Sequence, residues 1–297
     1  MDGFVLIVAC LGLGMLLART RGMPETLAAS LAAYAVRVAL PALVLQRLHA
    51  IAFDPSVLLP ALAPVVVFLV VALATLLLAR VLALGPATVG CLILVCGSGN
   101  TSIVGVPVVA ALLGDAAVGF ALVADQANFI VLSIAGLTVA NLYAARRDPP
   151  AVILRRIVTY PPVIAMTLAL ATRPFAYPPA LEHLLAALAA TLSPVAIVSV
   201  GAGLRLRQTG PRLRDFALGL GLKLVLAPAA ILALYTLLPH AGGDAFAVSV
   251  LQAGMPPMIV AALIAVERDL DPQLALLLSG FGIPISLVTA SLWSLAC

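Results

Sequence analysis

Gly97–Pro107 reads GSGNTSIVGVP and stands between CLILVC (Cys91–Cys96) and VVAALL (Val108–Leu113). Both flanks are apolar enough for lipid, yet the middle carries glycines, an asparagine and two hydroxyls. A second interruption, QAGMPP, occupies Gln252–Pro257 in an equally apolar setting. Glycine costs about 1 kcal/mol in a helix interior and proline about 3. Proline also removes a backbone donor and crowds the preceding turn. Neither stretch can therefore continue a helix undisturbed. The freed carbonyls and amides cannot face hydrocarbon; they must be buried in protein or line a wet cavity. Half-helix N-termini offer N–H groups and partial positive charge, whereas C-termini offer carbonyls. Two such breaks at matching places point to a transport site. A structural kink is the plainer reading, and it suffices for Pro41, Pro64, Pro161, Pro228 and Pro284 taken singly.

The surrounding composition agrees with a bilayer. The chain has 297 residues, 64% hydrophobic and 9% charged, with a mean hydropathy of +1.21. Soluble domains are about 25% charged, so this chain lacks the polar surface to coat a water-facing globule. The net charge of +4 does not indicate nucleic acid, because the arginines flank apolar runs and aromatic residues make up only 5%. Cys10, Cys91, Cys96 and Cys297 show no metal-ligand spacing and read as small hydrophobes. His49, His183 and His240 fall in or beside predicted exterior loops, and no nucleophile–base pair supports an enzyme. No cofactor or metal is expected. MDGFVLIVACLGLGMLLARTR starts with an acid and lacks a cleavage signal, so it reads as a retained span.

About ten apolar windows follow: 3–18, 25–46, 57–84, 87–113, 116–142, 157–173, 183–204, 215–238, 245–267 and 272–296. With the N-terminus outside, the odd-numbered loops hold Arg19, Arg21, Arg80, Arg146, Arg147, Arg155, Arg156, Arg205, Arg207, Arg212, Arg214 and Arg268. The even-numbered loops hold only Arg47 and Arg173. This asymmetry predicts cytoplasmic odd loops and both termini outside. The predicted fold is an all-α integral membrane protein of two inverted five-helix repeats, with helices four and nine broken. Residues 1–142 form the first repeat, 143–156 a cytoplasmic linker and 157–297 the second. An odd number of spans per half forces opposite orientations. Sliding Gly99 onto Gly254 sets Asn100 over Met255 and Thr101 over Pro256.

Asn100, Thr101, Ser102, Gln252, Met255 and Pro256 are the candidate substrate-binding residues, with Gly99, Gly254, Pro256 and Pro257 making the breaks. Three charges fall within predicted spans: Arg37, Asp125 and Lys223. Intramembrane ionisable residues face a cavity or a partner. Asp125, with Gln126 and Asn128, is the candidate for proton coupling or for holding helix four. Lys223 and Arg37 are candidates for charge balance or for an internal ion pair with Asp125. One acid against two bases favours an anionic cargo, and the carboxylate clusters that calcium or magnesium need are absent.

GNTSIVGVPVVAALLGDAAVGFALVADQ (Gly99–Gln126) resembles the bacterial members of the auxin efflux carrier family, in which a Gly-Asn-Thr-Gly-like break precedes Leu-Gly-Leu-Pro and then an aspartate. QAGMPPMIVAALIAVERDLDPQLA (Gln252–Ala275) resembles the family's second break, and VALPALVLQRL its helix-two pattern. The resemblance implies a scaffold domain beside a transport domain, interleaved between the repeats, and a mid-membrane crossover of helices four and nine. It also implies organic-anion cargo, which in this family includes auxin and malate- or malonate-type dicarboxylates. Asn100 matches the crossover asparagine and Pro256 the crossover proline. Ser102 departs from the family's glycine, the first break lacks the proline of plant exporters, and their long cytoplasmic loop is missing.

These readings predict a secondary transporter of small organic anions that works by alternating access in the inner or plasma membrane. Protons or sodium are the candidate coupling ions, and a homodimer is allowed. A sodium-coupled carboxylate or bile-acid-type symporter is the close alternative, and a non-transporting ligand sensor the more distant one.

Overall fold

A helix or a pair of helices occupies each apolar window. The computed structural model describes residues 2–20, 23–24, 26–50, 55–144, 151, 154–155, 158–203, 213–238 and 242–297, and no strand occurs among them. The first two windows hold α1 (Asp2–Leu17), α2 (Leu27–Tyr34) and α3 (Leu40–Ala50), the last two joined by a π turn at Ala35–Ala39. α4 (Leu58–Leu82) fills the third. The fourth divides into α5 (Pro86–Gly97) and α6 (Val106–Leu113), and a π turn at Thr101–Gly105 leads into α6. α7 (Val118–Val131) runs through a π turn at Leu132–Gly136 into α8 (Leu137–Tyr143).

The second half opens with α9 (Pro161–Ala171), followed by α10 (Pro179–Ala190) and α11 (Leu192–Gly203). α12 (Leu213–Leu220) passes through a π turn at Gly221–Leu226 into α13 (Ala227–Tyr235). The ninth window divides into α14 (Gly243–Ala253) and α15 (Ile259–Glu267), and α16 (Pro272–Trp293) closes the chain. Prolines set several starts, as Pro86, Pro161, Pro179 and Pro272 open their helices. A proline there gives up an N–H that has no intrahelical partner anyway.

Two windows differ from expectation for this reason and one other. The sixth helix begins at Pro161 rather than 157, because the proline cannot extend it backwards. The seventh starts at Pro179 and is divided at Thr191, whose hydroxyl donates back to the Leu188 carbonyl at 2.6 Å. Such back-bonding competes with the helix ladder. The same hydroxyl meets the Tyr34 hydroxyl at 3.0 Å, tying the division to α2.

Five helical stretches among the described residues are long and apolar enough to cross a bilayer: Pro55–Leu82, Asp115–Tyr143, Pro179–Ser199, Leu213–Tyr235 and Pro272–Trp293. On α4, Leu69, Leu73 and Leu77 are exposed in a row at helical spacing, as a lipid-facing stripe requires. The pieces of the divided windows are much shorter, at 12, 8, 11 and 9 residues for α5, α6, α14 and α15. At about 1.5 Å per residue none covers the roughly 30 Å of hydrocarbon.

Two large apolar cores form beside a small third one at Phe68, Val89 and Ile93. One joins α1–α3 and α9–α11 to α6 and part of α7; the other joins α4, α5, α8 and α13–α16. α14 belongs to both, with Leu251 in the first core and Val250 and Ala253 in the second. The second interruption therefore sits where the cores meet.

The tightest helix contact joins α1 to α11. A Cβ on Gly14 would strike the Val198 carbonyl and stand 2.8 Å from the Ala202 nitrogen and 2.9 Å from the Gly201 Cα. Those neighbours are backbone and cannot give way. Gly14→Val is expected to lower stability by about 1–3 kcal/mol, the usual cost of overpacking. Gly12→Ala, where nothing lies within 4 Å of the added atom, is expected to keep or raise it, by up to about 1 kcal/mol. Thermal unfolding of both variants in detergent checks the contrast.

Candidate functional site

α5 ends at Gly97, and the chain then straightens: Ser98 has φ −119°, ψ 135° and Asn100 has φ −79°, ψ 66°. α14 ends at Ala253, with Gly254 at φ −83°, ψ 4°, and Met258 at φ −71°, ψ 128° precedes α15. The two straightened segments pair with each other. The Asn100 N–H donates to the Pro256 carbonyl at 2.8 Å, and the Met258 N–H donates to the Ser98 carbonyl at 3.1 Å. Gly99 faces Pro257 as an antiparallel pair between these bonds. In such a pair the facing residues exchange no hydrogen bond with each other. The missing N–H of Pro257 is thus not needed there.

Gly99 still carries a donor and an acceptor directed elsewhere, and Asn128 takes both. Its Oδ1 accepts from the Gly99 N–H at 3.2 Å, and its Nδ2 donates to the Gly99 carbonyl at 2.9 Å. One carboxamide thereby does the work of a neighbouring strand. Its Nδ2 also reaches Thr101 Oγ1 at 3.2 Å.

One turn earlier on α7, Asp125 Oδ1 accepts from Thr101 Oγ1 at 2.6 Å and from the Ser102 hydroxyl. Its Oδ2 accepts from Gln126 Nε2 at 3.1 Å. A turn earlier again, the Ala121 carbonyl receives Gln252 Nε2 at 3.4 Å. Residues 121, 125 and 128 share one helical face, so a single stripe of α7 reaches both interrupted regions. Beside it, the Phe129 ring stacks on Tyr160 at the start of α9, with centroids 3.5 Å apart and planes at 10°.

The backbone of Asn100 is fully used, since its carbonyl accepts from the Gly105 N–H at 3.0 Å. Its side chain is not. Among the described residues, Ser98 Oγ, Asn100 Nδ2, Gln126 Oε1 and Gln252 Oε1 are buried without a hydrogen-bond partner. Such groups cost about 1–3 kcal/mol each when left unsatisfied; Ser98 and Asn100 lie on the first straightened segment, Gln252 in the last turn of α14 and Gln126 beside Asp125 on α7.

Lys223 completes the surroundings. It lies on the π turn Gly221–Leu226, between α12 and α13, and is 1% exposed. A Cβ on Gly99 would stand 3.2 Å from Lys223 Nζ and 3.5 Å from the Gln252 carbonyl oxygen. The ammonium therefore hangs over the first interruption. Among the described residues no ion pair joins it to Asp125.

The structure brings together Gly99, Asn100, Thr101, Ser102, Asp125, Gln126, Asn128, Lys223, Gln252, Pro256 and Pro257. Three placements add detail. Thr101 and Ser102 lie in the π turn after the break, and Gln252 in the last turn of α14. Met255 is fully buried in the first apolar core, where it packs against Gly105. Arg37 is exposed on the turn Ala35–Ala39 and forms no ion pair with Asp125 among the described residues. A long cationic side chain can bury its stem and carry its head to a polar boundary, which apolar patterning alone does not distinguish from burial.

Three contributors were not singled out from sequence. Ser98 supplies an unpartnered hydroxyl. Gly105 leaves room for the Gln252 carboxamide, since a Cβ there would collide with Gln252 Oε1. Trp293 Nε1 donates to the Leu224 carbonyl at 2.9 Å and so braces the turn that carries Lys223. Trp293 is the chain's single tryptophan, a signal that could have drawn notice.

Replacing Asn128 by leucine strips partners from both backbone groups of Gly99. At about 1–3 kcal/mol for each buried group left unsatisfied, Asn128→Leu is expected to cost roughly 2–6 kcal/mol. The measurement is thermal unfolding in detergent beside the wild type.

Comparison with known proteins places this geometry in context. A family profile described as "Membrane transport protein" matches residues 3–294. A protein of Methanothermobacter thermautotrophicus described as "Uncharacterized transporter" is 28% identical over 196 residues, 66% of this chain and 64% of that relative. The matched region thus spans just under two thirds of the relative's length. Because the profile covers the chain almost from end to end, across both interruptions, the chain belongs to the membrane transport protein family, that of the auxin efflux carriers.

Proposed function

We propose that this protein is a secondary active carrier of small organic anions, working by alternating access around the paired interruptions. The observation that carries the reading is the set of four unpartnered polar atoms buried on residues at or next to those interruptions, together with the Lys223 ammonium beside Gly99. Membership of a transporter family fits it. The cargo's carboxylate meets Lys223 and the Asn100 side chain, while Thr101, Gln252 and Pro256 shape the site. Met255 and Gly254 back it from the apolar side, and Asp125 couples transport to a proton or to sodium.

The proposed architecture is ten spans in two inverted repeats, with α5–α6 and α14–α15 as crossing broken helices. The register that sets Gly99 opposite Pro257 supports it. That register lays Asp2–Leu17 over Pro161–Ala171, Leu58–Leu82 over Leu213–Tyr235, and Val118–Val131 over Pro272–Trp293. It lies a few residues from the alignment of Gly99 with Gly254. The core built on α1–α3 and α9–α11 serves as scaffold and the other core as the moving body, with both termini on the outer side of the cell membrane.

Asn100→Ala tests the site. A hydrogen bond to a charged group is worth about 1.5–3 kcal/mol, which corresponds to a loss of roughly tenfold or more. Uptake of a panel of labelled small carboxylates into proteoliposomes is expected to fall by at least about that factor while expression and folding persist. Unchanged uptake would remove Asn100 from the site. Replacing sodium by choline in the same assay separates sodium coupling, under which uptake stops, from proton coupling.

A further inference from the structure

The polar groups around the interruptions are unequal in kind, and the inequality describes a ligand. The donors are the Lys223 ammonium, Asn100 Nδ2 and Ser98 Oγ; the atoms able only to accept are Gln126 Oε1 and Gln252 Oε1. Lys223 is the one buried cation among the described residues. We propose that the site selects an anion with a single carboxylate and a neutral O–H or N–H donor close to it, the class of small 2-hydroxy monocarboxylates, anchored on Lys223. The inference rests on the carrier reading above and narrows its cargo.

The charge argument comes first. One fixed ammonium balances one carboxylate, and a buried charge without a partner is expensive. A second carboxylate would find no second cation. It would also meet Asp125, which is 2% exposed and whose oxygens already accept from Thr101, Ser102 and Gln126. Those three donors are spent and cannot turn to a ligand. Dicarboxylates are therefore disfavoured here, although the family resemblance alone would allow them.

The hydrogen-bond argument comes second. A carboxylate only accepts, so it can satisfy Lys223, Asn100 and Ser98 but not the two glutamine oxygens. Gln252 Nε2 is turned to the Ala121 carbonyl and Gln126 Nε2 to Asp125, which leaves each Oε1 as the free end. A ligand hydroxyl satisfies such an oxygen; a methyl in its place leaves it bare. Sites built around a substrate O–H or N–H discriminate strongly against analogues lacking it. An ammonium in that place would sit in the field of Lys223, so a zwitterionic amino acid fits less well than a hydroxy acid. Two glycines keep the room open, because side-chain atoms at Gly105 and Gly99 would crowd Gln252 Oε1 and Lys223 Nζ.

The test uses four three-carbon probes of nearly equal size: lactate, propionate, malonate and alanine. Uptake of each labelled probe is measured in proteoliposomes of the full chain, alongside its effect on the melting temperature in detergent, since a ligand of the native state raises it. Lactate is expected to enter at least about tenfold faster than propionate, with malonate and alanine near the protein-free background. Lys223→Gln is expected to abolish lactate uptake, and Lys223→Arg, which keeps the charge, to restore part of it. Gln252→Met is expected to bring the lactate-to-propionate ratio close to one. That change in ratio is a readout that a purely structural role would not produce, and it decides the matter if Lys223→Gln does not fold. Malonate entering as fast as lactate overturns the proposal. So does undiminished lactate uptake by Lys223→Gln, or a lactate-to-propionate ratio unaltered in Gln252→Met. Background uptake of all four probes also overturns it, while leaving the carrier reading to stand or fall on the wider panel and Asn100→Ala.

Discussion

The hydrogen bonds from Asn128 to both backbone groups of Gly99 resolve the central difficulty of this fold. A chain surrounded by hydrocarbon has no water to complete its backbone, so every interruption of a helix creates donors and acceptors that need partners inside the protein. Here each interrupted segment becomes the other's partner through Asn100 to Pro256 and Met258 to Ser98, and the outward-facing edge that remains is completed by a side chain. Once the backbone is satisfied in this way, neighbouring side chains are released from structural duty. The free ends of Asn100, Gln126 and Gln252 exist because the peptide groups around them are already provided for.

The same logic explains why the two interruptions differ in composition. The first carries glycine where the backbone must be approached from two sides, by Pro257 and by Asn128. The second carries prolines at positions that only accept or face a partner without bonding. Pro256 and Pro257 forfeit donors that this pairing never uses. π turns at Thr101–Gly105 and Gly221–Leu226 carry Thr101, Ser102 and Lys223, with Thr101 and Ser102 bonded to Asp125 and the Lys223 ammonium beside Gly99. Such turns are frequent at functional sites.

Much of this was legible in the chain itself, because its largest signals are costs that lipid imposes on any sequence. Helices fill the windows read from hydropathy, and the chain does leave the helix within the two marked stretches, after Gly97 and after Ala253. The stretch Asp125–Asn128 was marked by its polarity, and its side chains do hold the first interruption. What could not be read was the division of labour within it: spacing places Asp125 and Asn128 on one face but does not say which reaches Gly99. The setting of Arg37 was open for a related reason. An arginine inside an apolar run looks the same in sequence whether its head is enclosed or carried to a boundary. The division at Thr191 escaped notice because it depends on a tertiary contact with Tyr34 rather than on a helix-breaking residue.

The close approach of Gly14 to Val198, Gly201 and Ala202 also bears on how the protein is made. α1 leaves the ribosome before the helix whose backbone it touches, which lies close to two hundred residues further along the chain. At roughly 5–20 residues per second, that partner arrives on the order of ten to forty seconds later. During that interval the groove around Gly14 is without its native partner. The final fitting of α11 into it is a late step of biogenesis, so a lesion in either helix would act after insertion, when quality control inspects assembled bundles rather than single segments.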